Sequence, residues 1–100
     1  MLVETVTETR IVVDWAEVAK RLEPKIMKQM RDAYDHWDSV DMRQMAVMDA
    51  ADGLRICERM AEGNVEGVTD ALWEMDTAPR EDVLYWIEEI VGAEALRLIW

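Results

Sequence analysis

The densest group of side chains that could do chemistry lies between residues 32 and 41. The group contains four aspartates and the only histidine of the chain: Asp32, Asp35, His36, Asp38 and Asp41. Asp32 and His36 are spaced i, i+4, so on a helix both side chains lie on one face and could chelate a metal ion. Helical di-metal sites need a Glu-x-x-His arm on each of two facing helices, and structural zinc needs four ligands, mostly Cys and His. With one His and one Cys in the chain, we expect no metal, and a metal-dependent enzyme built on this cluster is only an alternative.

Nucleophilic catalysis has little support in the sequence. Cys57 and His36 could pair, but Cys57 falls on an apolar helical stripe, which predicts a buried and unreactive thiol. Ser39 is the only serine and precedes a predicted helix, where capping is the ordinary role of serine. The sequence contains no Gly-rich phosphate loop and no G-x-S-x-G elbow. We therefore expect a non-catalytic protein without a cofactor.

Carboxylates dominate the charge of the chain. Twenty-two acidic residues stand against eleven basic ones, giving a formal net charge of −11. The imbalance is concentrated in residues 32–100, which hold seventeen of the acids and five of the bases. Such a chain is repelled by the phosphates of nucleic acids and by anionic membranes, so we expect neither as a direct partner. The charge favours a basic protein surface as the partner.

Two predicted helices combine this charge with aromatic side chains. Glu66, Asp70 and Glu74 are spaced i, i+4, i+8, which places three carboxylates in one stripe. Trp73 lies off the apolar stripe, and Tyr85 has two acids one turn before it and two one turn after it. Exposed aromatics with a rim of one charge are typical of interface hot spots, although a merely solvated face would show the same pattern. The predicted partner-binding residues are Glu66, Asp70, Trp73, Glu74, Glu81, Asp82, Tyr85, Glu88 and Glu89.

In composition, the chain resembles small acidic phage-encoded anti-restriction and anti-CRISPR inhibitors. The resemblance implies a viral inhibitor that occupies a basic, nucleic-acid-binding site of its target and mimics nucleic acid. Neighbouring acidic residues on one helix face have Cβ atoms about 5–6 Å apart, a spacing comparable with that of phosphates along one strand. The alternative is a scaffold or homodimeric regulatory subunit that uses Trp73, Tyr85, Trp100 and the N-terminal strand.

Helical periodicity predicts an all-α fold, a compact single-domain bundle of five or six helices over residues 14–100. The predicted helices span 14–23, 24–37, 40–62, 65–75, 79–91 and 93–100. Pro24 either opens the second of them or kinks one continuous helix. The helix over 40–62 is apolar around most of its circumference, which predicts a central position. Ten residues are expected to be buried: Trp15, Leu22, Met30, Trp37, Leu54, Cys57, Leu72, Trp86, Ile87 and Ile90.

Residues 1–13 are predicted to form an extended, strand-forming N-terminal arm. β-Branched residues (Val, Thr or Ile) occupy every second position from Val3 to Val13, which indicates a single strand. Without a second strand to pair with, this segment is either a mobile arm or a strand that pairs with another chain. The lone cysteine, the absence of a signal-peptide pattern and the short apolar runs predict a cytoplasmic protein.

Overall fold

The N-terminal segment folds as a β-hairpin. The computed structural model describes residues 2–7 and 10–100, and in it β1 (Val3–Thr7) pairs antiparallel with β2 (Arg10–Val13). Val3 lies opposite Val13, and the register shifts between Thr5 and Thr7. The prediction of a single strand is therefore wrong, because the segment supplies its own ladder partner. Met1, Glu8 and Thr9 of the predicted arm lie outside the described residues.

The hairpin is attached to the helices through hydrogen bonding and apolar packing. The backbone N–H of Asp14 donates to the carbonyl oxygen of Leu2 at 2.8 Å. Four hairpin side chains are partly buried against the helical core: Leu2, Val3, Ile11 and Val13. Because an isolated two-stranded hairpin is at best marginally stable in water, this apolar contact stabilises it.

Helix α1 (Trp15–His36) runs without a break through Pro24. The Asp14 side chain caps its start by accepting a hydrogen bond from the Glu17 N–H at 3.2 Å. Pro24 removes one helical hydrogen bond, yet the buried stripe continues across it from Leu22 to Ile26. The segments predicted as 14–23 and 24–37 are consequently one helix, and the bundle has five helices among the described residues.

Helix α2 (Val40–Ala61) follows a short turn and is capped by Ser39, as predicted. It packs closely against α1 at Gly53, where a Cβ atom would lie 3.0 Å from Ile26 Cδ1. Gly53 therefore allows the two helices to pack closely at this position. The central position predicted for the whole helix holds only for its second half, because Met45, Val47 and Met48 in the first half are exposed.

Three shorter helices complete the bundle: α3 (Val65–Glu74), α4 (Thr77–Val91) and α5 (Ala93–Leu96). Helix α3 packs on α2, whereas α4 packs on α1, α2 and α5. Gly63 and Gly92 separate the helices with φ angles of +72° and +88°, values that side chains disfavour. No helix of the described residues is long and apolar enough to cross a membrane.

The core agrees with most of the predicted burial. Five of the ten predicted residues are buried, namely Trp15, Leu22, Cys57, Leu72 and Ile87. Met30, Leu54, Trp86 and Ile90 are partly buried against the same core. The prediction that Trp37 is buried is wrong, since 40% of it is exposed. It follows the last residue of α1 and has extended backbone angles, so the helical period that predicted its burial no longer applies there.

Candidate docking faces on helices α3 and α4

Tyr85 lies at the centre of the exposed side of α4. The buried stripe of that helix contains Val83, Ile87 and Val91. At about 100° of rotation per residue, Tyr85 lies on the opposite side, and 62% of it is exposed. The carboxylates one turn before and one turn after it are all exposed: Glu81, Asp82, Glu88 and Glu89. We call these four residues and Tyr85 the α4 acidic face.

Asp82 forms the edge of this face next to α1. Its Oδ2 accepts a hydrogen bond of 2.8 Å from Gln29 Nε2. It also lines a cavity of about 190 Å³ between α1, α2 and α4, together with Asp49 and Trp86. Asp82 therefore helps to set the orientation of α4 on α1.

The α3 residues predicted to bind a partner divide between an exposed face and an edge that lies near a cation of another helix. Glu66, Asp70 and Trp73 lie on the side of α3 away from its buried residues. Glu74 is close to a cation from another helix, because its Oε2 lies 3.9 Å from Arg55 Nη1. The same Arg55 nitrogen lies 3.6 Å from Asp52 Oδ1. The sequence of α3 gave no sign of this cation, since Arg55 belongs to α2.

Trp73 has an environment that the sequence did not predict. Its ring lies 4.7 Å from that of Trp100, with an angle of 37° between the ring planes. The Arg80 guanidinium carbon lies 5.1 Å from the Trp100 ring centroid and 5.8 Å from that of Trp73, within reach of cation–π attraction. Trp73 is still 66% exposed, but carboxylates are not its only neighbours. Tyr85 is therefore the better candidate for an anchor with an acidic rim.

Contacts of the C-terminal segment explain how Trp100 reaches Trp73. The Thr69 hydroxyl donates to the carbonyl oxygen of Ile99 at 2.9 Å, and Ile99 is buried in the core. These contacts place the end of the chain beside α3. Spacing along the sequence could not reveal this, because Trp73 and Trp100 are twenty-seven residues apart.

The Asp32–Asp41 cluster is an exposed helix end. Lys28 Nζ lies 2.7 Å from Asp32 Oδ2, so this carboxylate already has a cationic partner. The His36 ring packs edge-on against Trp37, with 4.9 Å between the ring centroids. Across residues 2–7 and 10–100, the structure has no group of three or more His, Cys, Asp or Glu side chains placed to hold a metal ion.

Cys57 is buried, as the sequence predicted. Burial raises the pKa of its thiol to about 12, and the negative charge of Glu23 adds to the effect. The thiolate is the reactive form of cysteine, so the raised pKa and the burial together describe an unreactive thiol.

Asp49 lies where the folded protein disfavours the ionised form of its carboxyl group. Partial burial raises its pKa above the ordinary value of 3.8, and the negative charges of Asp76 and Asp52 raise it further. A carboxyl group with a raised pKa favours the folded state below its unfolded pKa and loses that contribution as the pH rises through the folded value. At pH 7 the ionised Asp49 therefore destabilises the fold.

Replacing Asp49 with asparagine should raise the melting temperature at pH 7. Because Asp49 is partly exposed, solvent screens the effect, and we expect the free energy of unfolding to rise by less than about 1 kcal/mol. The gain should shrink as the pH falls and Asp49 of the wild type becomes protonated. Thermal unfolding between pH 3 and pH 7 measures this, with Asp38→Asn in the exposed turn between α1 and α2 as the control. An equal gain for both variants, or a gain that does not change with pH, would contradict the assignment.

Comparisons of the chain with protein-family models, curated proteins and solved structures find no match. The functional proposal therefore depends on the geometry of the chain's own residues.

Proposed function

We propose that this chain is a small, acidic, non-catalytic interaction module that docks its α4 acidic face on a basic surface of a partner protein. The observation that carries the proposal is Tyr85, 62% exposed at the centre of a face with four exposed carboxylates. Tyrosine is enriched among the residues that dominate binding energy, because it buries a large ring in a desolvated pocket. Carboxylates around such an anchor accelerate encounter with a basic partner.

The core packing of α4 supports a pre-organised face. Val83 and Ile87 are almost fully buried behind Tyr85, and Gln29 holds the edge of the face through Asp82. A face that is ordered before binding loses less conformational entropy when the complex forms.

The sharpest version of the proposal is inhibition of a nucleic-acid-binding protein in the cytoplasm, as in phage anti-defence proteins. Acidic residues one turn apart on a helix have Cβ atoms about 5–6 Å apart, and their carboxylates would take the positions of phosphates in the basic site of the target. Short duplex DNA should then compete with the chain for the target, because both ligands would contact the same cations.

Affinity capture tests the proposal. Wild-type chain and a variant carrying Glu81→Lys, Glu88→Lys and Glu89→Lys are immobilised and exposed to an extract of source cells. We expect the wild type to retain a basic protein in about 0.1 M salt and release it in about 1 M salt, where the Debye length falls from about 10 Å to about 3 Å. Added duplex DNA should also release it.

The control for net charge carries the same number of reversals elsewhere: Asp38→Lys, Glu58→Lys and Glu62→Lys, all at exposed positions. Retention by this control together with loss in the α4 variant supports the proposal. Loss in both variants would mean that overall charge, rather than the α4 acidic face, attracts the basic protein.

A further inference from the structure

A second exposed surface lies at the end of the α1–α2 pair. Among the described residues, six of the eleven exposed large apolar side chains lie between residues 34 and 48. They are Tyr34, Trp37, Val40, Met45, Val47 and Met48. Apolar side chains scattered singly over a surface are ordinary, but a concentration of this kind marks an interaction site.

Part of this group forms one continuous depression of about 660 Å³. We call its lining the tip patch: Tyr34, Val40, Arg43, Gln44, Val47 and Met48. Helix α4 covers a different side of the α1–α2 pair, where Ala33 and Ala46 line the cavity beneath α4. The tip patch therefore has no covering helix among the described residues.

Arg43 holds the tip patch in shape. Its Nε donates to the carbonyl oxygens of Trp37 and Tyr34 at 2.7 and 3.1 Å. Its guanidinium carbon also lies 5.0 Å from the centre of the Tyr34 ring. These contacts connect the end of α1 to the start of α2, so the depression exists before any partner arrives.

The charge around the tip patch indicates the chemistry of its occupant. Asp35, Asp38 and Asp41 are all exposed in and beside the turn between α1 and α2. Arg43 is the one cation in the lining of the depression, so the three aspartates leave this end of the α1–α2 pair with an excess of negative charge. A second copy of this chain would bring the same excess to the contact, and like charges oppose such pairing. A partner with basic residues beside its apolar ones would be attracted.

We propose that the tip patch binds an amphipathic helical segment of a partner protein that carries Lys or Arg beside its apolar face. The apolar side chains of the segment enter the depression and contact Val47 and Met48, and its cations lie near the three aspartates. Methionine suits this role because its flexible, polarisable side chain adapts to different apolar surfaces. The proposal is independent of the α4 acidic face, which lies on another helix.

Calorimetric titration with a synthetic Leu/Lys peptide of amphipathic helical pattern tests the proposal. We expect Met48→Gln to weaken binding about tenfold, whereas Met45→Gln should weaken it less than twofold. The two methionines make a matched pair: both are exposed on α2, and only Met48 lines the depression. The variant with reversed charges on the α4 acidic face should keep the peptide affinity of wild type within about threefold.

Three results would overturn the proposal. The first is equal weakening, or no weakening, in the two methionine variants. The second is equally tight binding of a Leu/Glu peptide of the same pattern, which would remove the basic requirement. The third is a dimer in light scattering that Met48→Gln abolishes, which would make a second copy the occupant.

Discussion

Replacing Leu72 with alanine should lower the free energy of unfolding by about 2–5 kcal/mol, the range measured for buried leucines. Leu72 is fully buried in α3, so the substitution removes apolar contacts and leaves a cavity that the surrounding side chains fill only in part. A domain of this size has about 5–15 kcal/mol of stability in total. The variant should therefore melt well below wild type, and thermal and denaturant unfolding both measure the loss.

Leu98→Ala is the matched control for Leu72→Ala. Leu98 is 46% exposed near the end of the chain, and surface substitutions of this kind usually change stability by less than about 0.5 kcal/mol. Similar losses of unfolding free energy in the two variants would contradict the burial of Leu72 in the core.

Replacing Tyr85 with alanine should weaken binding of the captured basic partner by about 2 kcal/mol or more, which is about thirtyfold in Kd. The reason is loss of a desolvated anchor, so the dissociation rate should rise while the association rate changes little. Surface plasmon resonance separates the two rates. Folding should be unaffected, because the Tyr85 side chain is largely exposed.

Tyr34→Ala serves as the matched control for Tyr85→Ala. Tyr34 is also an exposed tyrosine, at 44%, but it lies in the tip patch on α1. Its removal should leave the dissociation rate of the basic partner unchanged. A Tyr85→Ala variant that dissociates no faster than wild type would remove Tyr85 from the binding site.

Trp73→Ala is expected to have a smaller effect on binding than Tyr85→Ala. From the sequence alone the two aromatic residues are equally good candidates for a binding anchor, since both lie off the apolar stripes of acidic helices. In the structure, Trp73 packs with Trp100 and Arg80, so its removal should also disturb the C-terminal segment.

Local patterns in the sequence were sufficient to predict where most of the helices begin and end. The caps at Asp14, Ser39 and Asn64 and the breaks at Gly63 and Gly92 are visible in the sequence and appear in the structure. These signals act within a few residues, so no knowledge of the tertiary fold was needed. The position of Tyr85 opposite the buried stripe of α4 followed from the same helical period.

Features that depend on contacts between distant residues were not predictable. The hairpin was missed because alternation from Val3 to Val13 carries no recognisable turn signal. Arg55 reaches Glu74 from another helix, and Trp100 reaches Trp73 only through the docking of the C-terminal segment. Helix α1 continues through Pro24 because tertiary packing on both sides of the proline outweighs its local cost. The tip patch was missed because α2 appeared apolar on most sides, and only the packed bundle reveals which side stays uncovered.

The association rate of the α4 charge-reversed variant with the captured partner tests the central proposal most directly. Charges at the rim of an interface act mainly on encounter, over a Debye length of about 8 Å in physiological salt. Reversing Glu81, Glu88 and Glu89 to lysine should therefore slow association more than it accelerates dissociation. The difference from wild type should disappear in about 1 M salt, where the Debye length is about 3 Å. Binding as fast and as tight as wild type at physiological salt would contradict the proposal and leave the α4 acidic face as a feature of solubility.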